Sequence, residues 1–416
     1  MTNSPSDRSL AGRLYFLDWL RIVAFFLLIL YHTGMYYVSW DWHVKSPHAG
    51  ETIEPLMMLT SPWRLGLLFL VAGAASAFML SKTTLGASTP GASTPGAFLR
   101  WRSWRLLVPL VFGMLVVVPP QSYFEVVEDV GYGGSYLDFM RLYLSAYQGF
   151  CDHDGCLELP TWNHLWFVAY LWVYTVLLWA VVRLWGGRLA GWAERAAQWL
   201  SGWRAIVLPA LLLAAVRLLL VGRFPSTHDL VNDWYNHANY LTLFALGFLL
   251  ARQARFWETA AALRWISLAL ALAGWAALAA YASGYSEASP PPDWLRMTMR
   301  VAYGFLEWSA IMAACGFARR HLERDNAARR YLSQAVFPVY VAHQTVIVVF
   351  AQALKPAALD PVLEGLVLVA LTFVLCFALF EAVRRVRVLR PLFGLGPIEN
   401  MRPVRVAGPA VNPASN

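Results

Sequence analysis

The chain has 416 residues, of which 58% are hydrophobic and only 14% charged, at a mean hydropathy of +0.48. Soluble domains carry roughly 25% charged residues, so the composition excludes a water-soluble globular enzyme and describes a polytopic membrane protein. The formal net charge of +8 then marks arginines flanking membrane spans, not a nucleic-acid surface.

Residues 1–13 read as a cytosolic tail. The first apolar stretch begins near Leu14, is long, and lacks a small-residue cleavage site, so it reads as a permanent span and not a signal peptide. Apolar runs of span length follow at 14–38, 61–81, 103–120, 163–185, 204–222, 237–252, 262–283, 294–318, 331–354 and 361–383. The expected fold is an all-α helix bundle of about ten transmembrane helices over 14–390. Both termini are then cytosolic, with 391–416 as the second tail. Placed this way, 24 Lys and Arg fall on the cytosolic side and 7 on the outer side, as the positive-inside rule expects.

The first span, LDWLRIVAFFLLILYHTG (17–34), carries Asp18, Arg21 and His32. An Arg at a helix centre costs roughly 2.5–3.5 kcal/mol on insertion scales, so these groups should face protein or water. Eleven helical steps of ~100° bring His32 to the same face as Arg21, ~16 Å further along. Asp18, three residues before Arg21, can pair with it. One reading is a helix-end ion pair plus a buried histidine; the other is one wall of a polar cavity.

Further along, SPWRLGLLFL puts Arg64 in the outer turn of the second span. The tandem repeat GASTPGASTPGA (86–97) reads as a flexible cytosolic linker. RWRSWRLLVP opens the third span with Arg102 and Arg105 one turn apart, either as plain anchors or as a grip on phosphates. The segment 121–162 is a large outer loop whose YLDFMRLYLSAYQGF (136–150) is amphipathic, suggesting an interfacial helix. Within it, CDHDGC (151–156) suits a disulfide in an oxidising compartment. A metal site of two thiols, His153 and carboxylates is the alternative, but the second cysteine pair usual for zinc is missing and no metal is expected.

The fourth span begins with Trp162, Asn163, His164 and Trp166. The eighth carries Arg296, Arg300, Tyr303 and Glu307, and the ninth His343 and Gln344. Cys315 and Cys376 lie in apolar runs and read as inert packing. Several helices that each carry a polar group argue for a shared polar cavity.

These residues carry a resemblance. Asp18, Arg21 and His32 in the spacing Asp-x-x-Arg-x10-His, and Arg102 and Arg105 followed by Pro109, resemble the acyltransferase-3 family. YFLDWLR, WHV (42–44), SPWRLGLLFLVAG, HLWF and VYVAHQ recur in the family's order across about residues 14–390, most like members linked to succinylation of periplasmic glucans. The chain departs from the family at Ala72-Gly73, where members often have Ser-Gly. The SPPPD loop, the 86–97 repeat and Glu307 are not family features.

The resemblance implies an enzyme of the bacterial inner membrane that moves an acyl group, succinyl favoured, from cytosolic acyl-CoA to hydroxyls of an envelope glucan. Acyl-CoA is a co-substrate and no cofactor is bound. Glucan-assembly proteins or a second copy of the chain are further partners. Arg102 and Arg105 would hold the donor phosphates, and the donor arm would thread past Arg21 to His32, the proton acceptor, through a continuous passage. Asp18 and Arg21 would set the local charge. Arg64 would meet a charged acyl group or a glycan oxygen. Trp162, His164 and Trp166 would contact a sugar, and His343 would polarise the carbonyl or pack; Glu307 is a further contact candidate read from the residues alone. Acetyl transfer to another polysaccharide or lipid-linked sugar, a transporter and a scaffold remain as alternatives.

Overall fold

The computed structural model describes residues 14–84, 94–152, 155–286 and 288–396. All regular structure among them is helical, apart from two isolated bridges at Cys151–Cys156 and Ser286–Ser289. Helices α1 (Tyr15–Met35), the short α2 (Glu54–Met58) and α3 (Arg64–Thr84) lead into α4 (Pro95–Phe112). A π-turn at Gly113–Val117 and a 42° bend then join α4 to α5 (Pro119–Asp129). After α6 (Tyr136–Leu144) come α7 (Trp166–Trp199), α8 (Arg204–Leu220), α9 (Trp234–Leu250), α10 (Ala254–Gly284), α11 (Asp293–His321), α12 (Ala327–Leu354), α13 (Pro361–Arg385) and α14 (Leu389–Leu392).

Each of the ten apolar stretches falls on one of these helices. A segment in lipid must satisfy its own backbone hydrogen bonds, and a helix does so within one strand of sequence. Among the described residues, six helices are long and apolar enough to cross a membrane, seven if the bent α4–α5 pair is one span. Helices α8 and α9, at 17 residues each, sit at the lower edge of the usual spanning length. The protein is a multi-pass helical membrane bundle.

Polar residues punctuate the helix ends as expected. Thr94, Ser135, Asn326 and Asp360 each accept backbone N–H bonds at the start of α4, α6, α12 and α13, satisfying donors that the first turn leaves orphaned. The end of the 86–97 repeat is therefore not linker, since Thr94 caps α4 and Pro95 is its first helical residue; the rest of the repeat lies outside the described residues. α7 has 34 residues, about 51 Å, which exceeds a single span. It breaks at Trp185, and its second half carries exposed Trp185, Trp192 and Trp199 at seven-residue spacing, the pattern of an interfacial aromatic belt. The sequence reading ends this span at 185, where the helix breaks, and a further helical segment follows over 186–199.

Arg105 donates to the Gly394 carbonyl, and Phe393 packs on Phe112, so residues 391–396 lie against α4. Residues 1–13 and 397–416 lie outside the described residues. In the outer segment, α5, α6 and the following loop bury Val126, Phe139, Tyr143, Phe150 and Leu159 together. Cys151 and Cys156 form a disulfide, which removes both thiols from the metal-site alternative; His153 and Asp154 lie outside the described residues.

Candidate active site

α1, α3, α7, α8, α9, α11 and α12 surround a cavity of about 590 Å³, within the usual range for small-ligand sites. His32, Arg64, Trp162, His164, Trp166 and Glu307 all line it. The polar groups that the sequence scatters over 300 residues are thus brought to one place.

The hydrogen bonds of His32 define its protonation state. Nδ1 of His343 lies 2.6 Å from the Tyr340 carbonyl oxygen. A carbonyl only accepts, so this nitrogen carries the proton and Nε2 of His343 keeps a lone pair. That lone pair accepts from Nδ1–H of His32 at 2.8 Å, with the rings only 9° from parallel. His32 is therefore held in the tautomer whose Nε2 is unprotonated, the form required of a general base. His343 does not line the cavity. It is buried behind His32 and orients it.

A second chain runs beside the first. Glu125 accepts from His43 Nδ1 at 2.7 Å, and His43 Nε2 meets the Gln344 amide at 2.7 Å. Gln344 donates onward to Gln121 at 3.1 Å, and Gln121 to Thr345 at 2.6 Å. His43 is held above its ordinary value: burial opposes its charge, but the adjacent Glu125 carboxylate outweighs burial. Both ring nitrogens of His164 are engaged, one with the Val341 carbonyl at 3.1 Å and one facing Gln121 at 3.4 Å. His164 thus ties the start of α7 to α12. One face of Trp166 stacks on His228 at 4.2 Å, and Trp162 donates to the His228 carbonyl. Burial holds His228 below its ordinary value, partly offset by Asp233.

Opposite these lie two arginines. Arg64 is 3% exposed and sits 3.3 Å over the Tyr31 ring. Arg217 stacks on Tyr303 at 3.5 Å and donates to the Tyr235 hydroxyl. Glu307, fully buried, accepts from Asn239 at 2.8 Å.

Asp18, Arg21, Arg102 and Arg105 lie elsewhere. Asp18 pairs with Arg21 at 3.7 Å, as expected, and also with Arg329 of α12. Arg21 donates to the Ser333 carbonyl, and Arg102 to Thr175. Arg21, Arg102 and Arg105 lie within one another's field, and no described carboxylate pairs with Arg102 or Arg105. None of the four lines the cavity. On α1, Phe25 falls between Arg21 and His32; on α12, Tyr340 falls between Ser333 and His343. These rings pack edge-on at 5.1 Å, and Phe167 joins both at 6.4 and 6.2 Å. Along α1 and α12 this aromatic cluster stands between the arginine end and His32, on the line of the expected passage.

The sequence reading does not anticipate Glu125, Gln121, Arg217 or His228 in the site. Arg217 had a usable signal, being inside an apolar run, in the last turn of α8, and His43 had its place in the WHV motif. Gln121 and Glu125 had none, since only the bend after Val117 brings Gln121 to α12 and Glu125 to His43.

A family model described as an acyltransferase domain, that of acyltransferase-3, matches residues 14–381. The chain belongs to the acyltransferase-3 family and is a multi-pass membrane acyltransferase. Comparison with curated proteins and with solved structures finds no similar chain.

Proposed function

We propose that this protein transfers an acyl group, succinyl by its resemblance to glucans biosynthesis protein C, from acyl-CoA to hydroxyls of an envelope glucan. The observation that carries the acyl-transfer reading is the Tyr340–His343–His32 chain, which presents an unprotonated imidazole nitrogen to a polar cavity. His32 Nε2 takes the proton of the acceptor hydroxyl as its oxygen attacks the thioester carbonyl. The C–O bond forms, the C–S bond breaks, and the proton passes to the departing thiolate. His343 is a positioning residue; its Nδ1–H stays on the Tyr340 carbonyl throughout. His164 acts in the same indirect way through α12, while Trp162 and Trp166 form the aromatic wall that a sugar ring would meet.

The donor phosphates sit at Arg21, Arg102 and Arg105, with Asp18 and Arg329 locking α1 to α12 beside them. Guanidiniums gathered in this way, two of them without a described carboxylate partner, suit a polyphosphate. The acyl arm reaches His32 by displacing the Phe25–Phe167–Tyr340 layer. In this reading ten helices, α1, α3, α4 and α7 to α13, cross a bacterial inner membrane with both termini cytosolic. The 24-to-7 charge split and the Cys151–Cys156 disulfide on the opposite face support that orientation. A transporter is not favoured, because the acyltransferase family model spans residues 14–381.

The test is turnover of succinyl-CoA with a β-glucan by the full chain in nanodiscs. His32→Ala should lower kcat about 10²–10⁴-fold with the protein still inserted, and His343→Gln about 10–100-fold with KM for the donor little changed. Retained turnover in His32→Ala would remove it as the base. Mass spectrometry of envelope glycans with and without the protein identifies acyl group and acceptor.

A further inference from the structure

Arg64 is the feature that the mechanism above leaves unused. It is 3% exposed, yet its Nε and Nη1 have no hydrogen-bond partner in the protein. Its guanidinium lies on Tyr31, the neighbour of His32, and it is close enough to contribute to the field at His32. A buried charge is ordinarily paired or hydrogen-bonded on all sides. Stacking on an aromatic face and the hydrogen bond with Tyr31 offset part of the missing pairing, but Nε and Nη1 stay without a partner.

Arg217, on the same cavity, repeats the pattern. It lies on the Tyr303 ring, and its Nε has no partner in the protein. The buried carboxylate on that cavity wall is Glu307, whose Oε1 already accepts from Asn239 and whose charge lies in the field of Arg217, not of Arg64. Asp41 also lines the cavity but is exposed at its mouth. Two guanidiniums thus line a cavity that holds one engaged buried carboxylate, and part of their N–H donor capacity is left without a partner in the protein.

We infer that Arg64 and Arg217 form an anion subsite of this cavity, which takes the free carboxylate of a dicarboxylic acyl group while its thioester end lies at His32. The inference rests on the acyl-transfer reading. A guanidinium presents two parallel N–H groups that match a carboxylate. A site built around such donors penalises an analogue that lacks the acceptor, because the donors are then left buried and unpaired. Acetyl and butyryl donors would leave Arg64 in that state. Glu307 sets a limit at the Arg217 end by repelling a second negative group. An acidic substituent on the acceptor is the other source of the same chemistry.

The experiment measures kcat/KM of the full chain in nanodiscs with succinyl-CoA and butyryl-CoA, on neutral and on acidic glucans. The wild type should favour succinyl about 100-fold or more. Arg64→Gln and Arg217→Gln should each pull that ratio at least about 10-fold toward unity, and Arg64→Lys should retain more of it than Arg64→Gln. No succinyl preference, or a preference untouched by either substitution, overturns the inference, with one alternative outcome. If an acidic-acceptor preference collapses in Arg64→Gln, the anion comes from the acceptor and the subsite stands with a different source. Thermal shift with free succinate, and propionate as control, reads the subsite without catalysis. Stabilisation by succinate that disappears in Arg64→Gln upholds it even where no donor turns over, and no stabilisation together with no ratio change ends it. Turnover surviving in His32→Ala is a failure of the catalytic reading instead.

Discussion

At the scale of single residues, the site works by what each ring nitrogen faces. His32 and His343 are identical side chains in opposite hydrogen-bond roles, and the difference is the Tyr340 carbonyl, which fixes a proton on one ring and thereby frees a lone pair for the other. His43 differs again because Glu125 pulls it toward its charged form. That has a consequence for pH. A group whose native pKa lies above its ordinary 6.5 stabilises the fold fully below 6.5, and this contribution is lost as pH rises through the native value. The groups facing His43 are Glu125, Gln344, Asp41 and Asp129. Melting temperature of the detergent-purified protein should therefore fall as pH rises from 6.5 toward and beyond the native value of His43. Glu125→Gln should flatten that slope; an unchanged slope would mean that His43 does not carry the charge.

At the scale of helices, close approach and blockage matter most. α3 and α9 meet backbone to backbone. A Cβ on Gly247 would lie 1.9 Å from the Leu70 carbonyl oxygen, and one on Gly73 2.0 Å from that of Phe244, so only glycine permits the contact. That contact holds Arg64 of α3 beside Asn239 and Tyr240 of α9 on one cavity. The departure Ala72-Gly73 in the sequence keeps the residue of the pair that this packing needs. The aromatic layer is the second element-scale device. Phe25 is buried among Phe167 and Tyr340, and removing its ring opens a gap between the arginine cluster and the cavity. A cysteine at Leu28, which lines the cavity, should react with a small charged thiol reagent supplied from the arginine side much faster in Phe25→Ala than in the parent. Equal rates would place the route elsewhere.

At the scale of the whole molecule, sidedness gives each part its meaning. If the two termini and the arginine cluster share one face, Gly187→Cys and Ser289→Cys, both at exposed positions, lie on opposite sides of the membrane. In intact cells an impermeant maleimide should label Ser289→Cys and spare Gly187→Cys. The reverse pattern would invert the donor and acceptor sides.

The helices were legible from apolar runs alone, because lipid leaves a chain no other way to satisfy its backbone. The pairing of Asp18 with Arg21 and the candidacy of His32, Arg64, His164 and Glu307 were legible too, because polar groups inside such runs must have company. What that company is depends on residues some 300 positions away. The proton on His32 is set by His343 at a separation of 311 residues, and no spacing within one helix contains that information. The same holds for the unpartnered N–H groups of Arg64 and for the rings that pack between Arg21 and His32. The sequence by itself determined which segments are long apolar helices and which of their residues are costly to bury, since burial cost is local. Only the tertiary structure decided which of those residues meet, which nitrogen is free and which rings pack between them, since hydrogen bonds and packing are properties of neighbours in space.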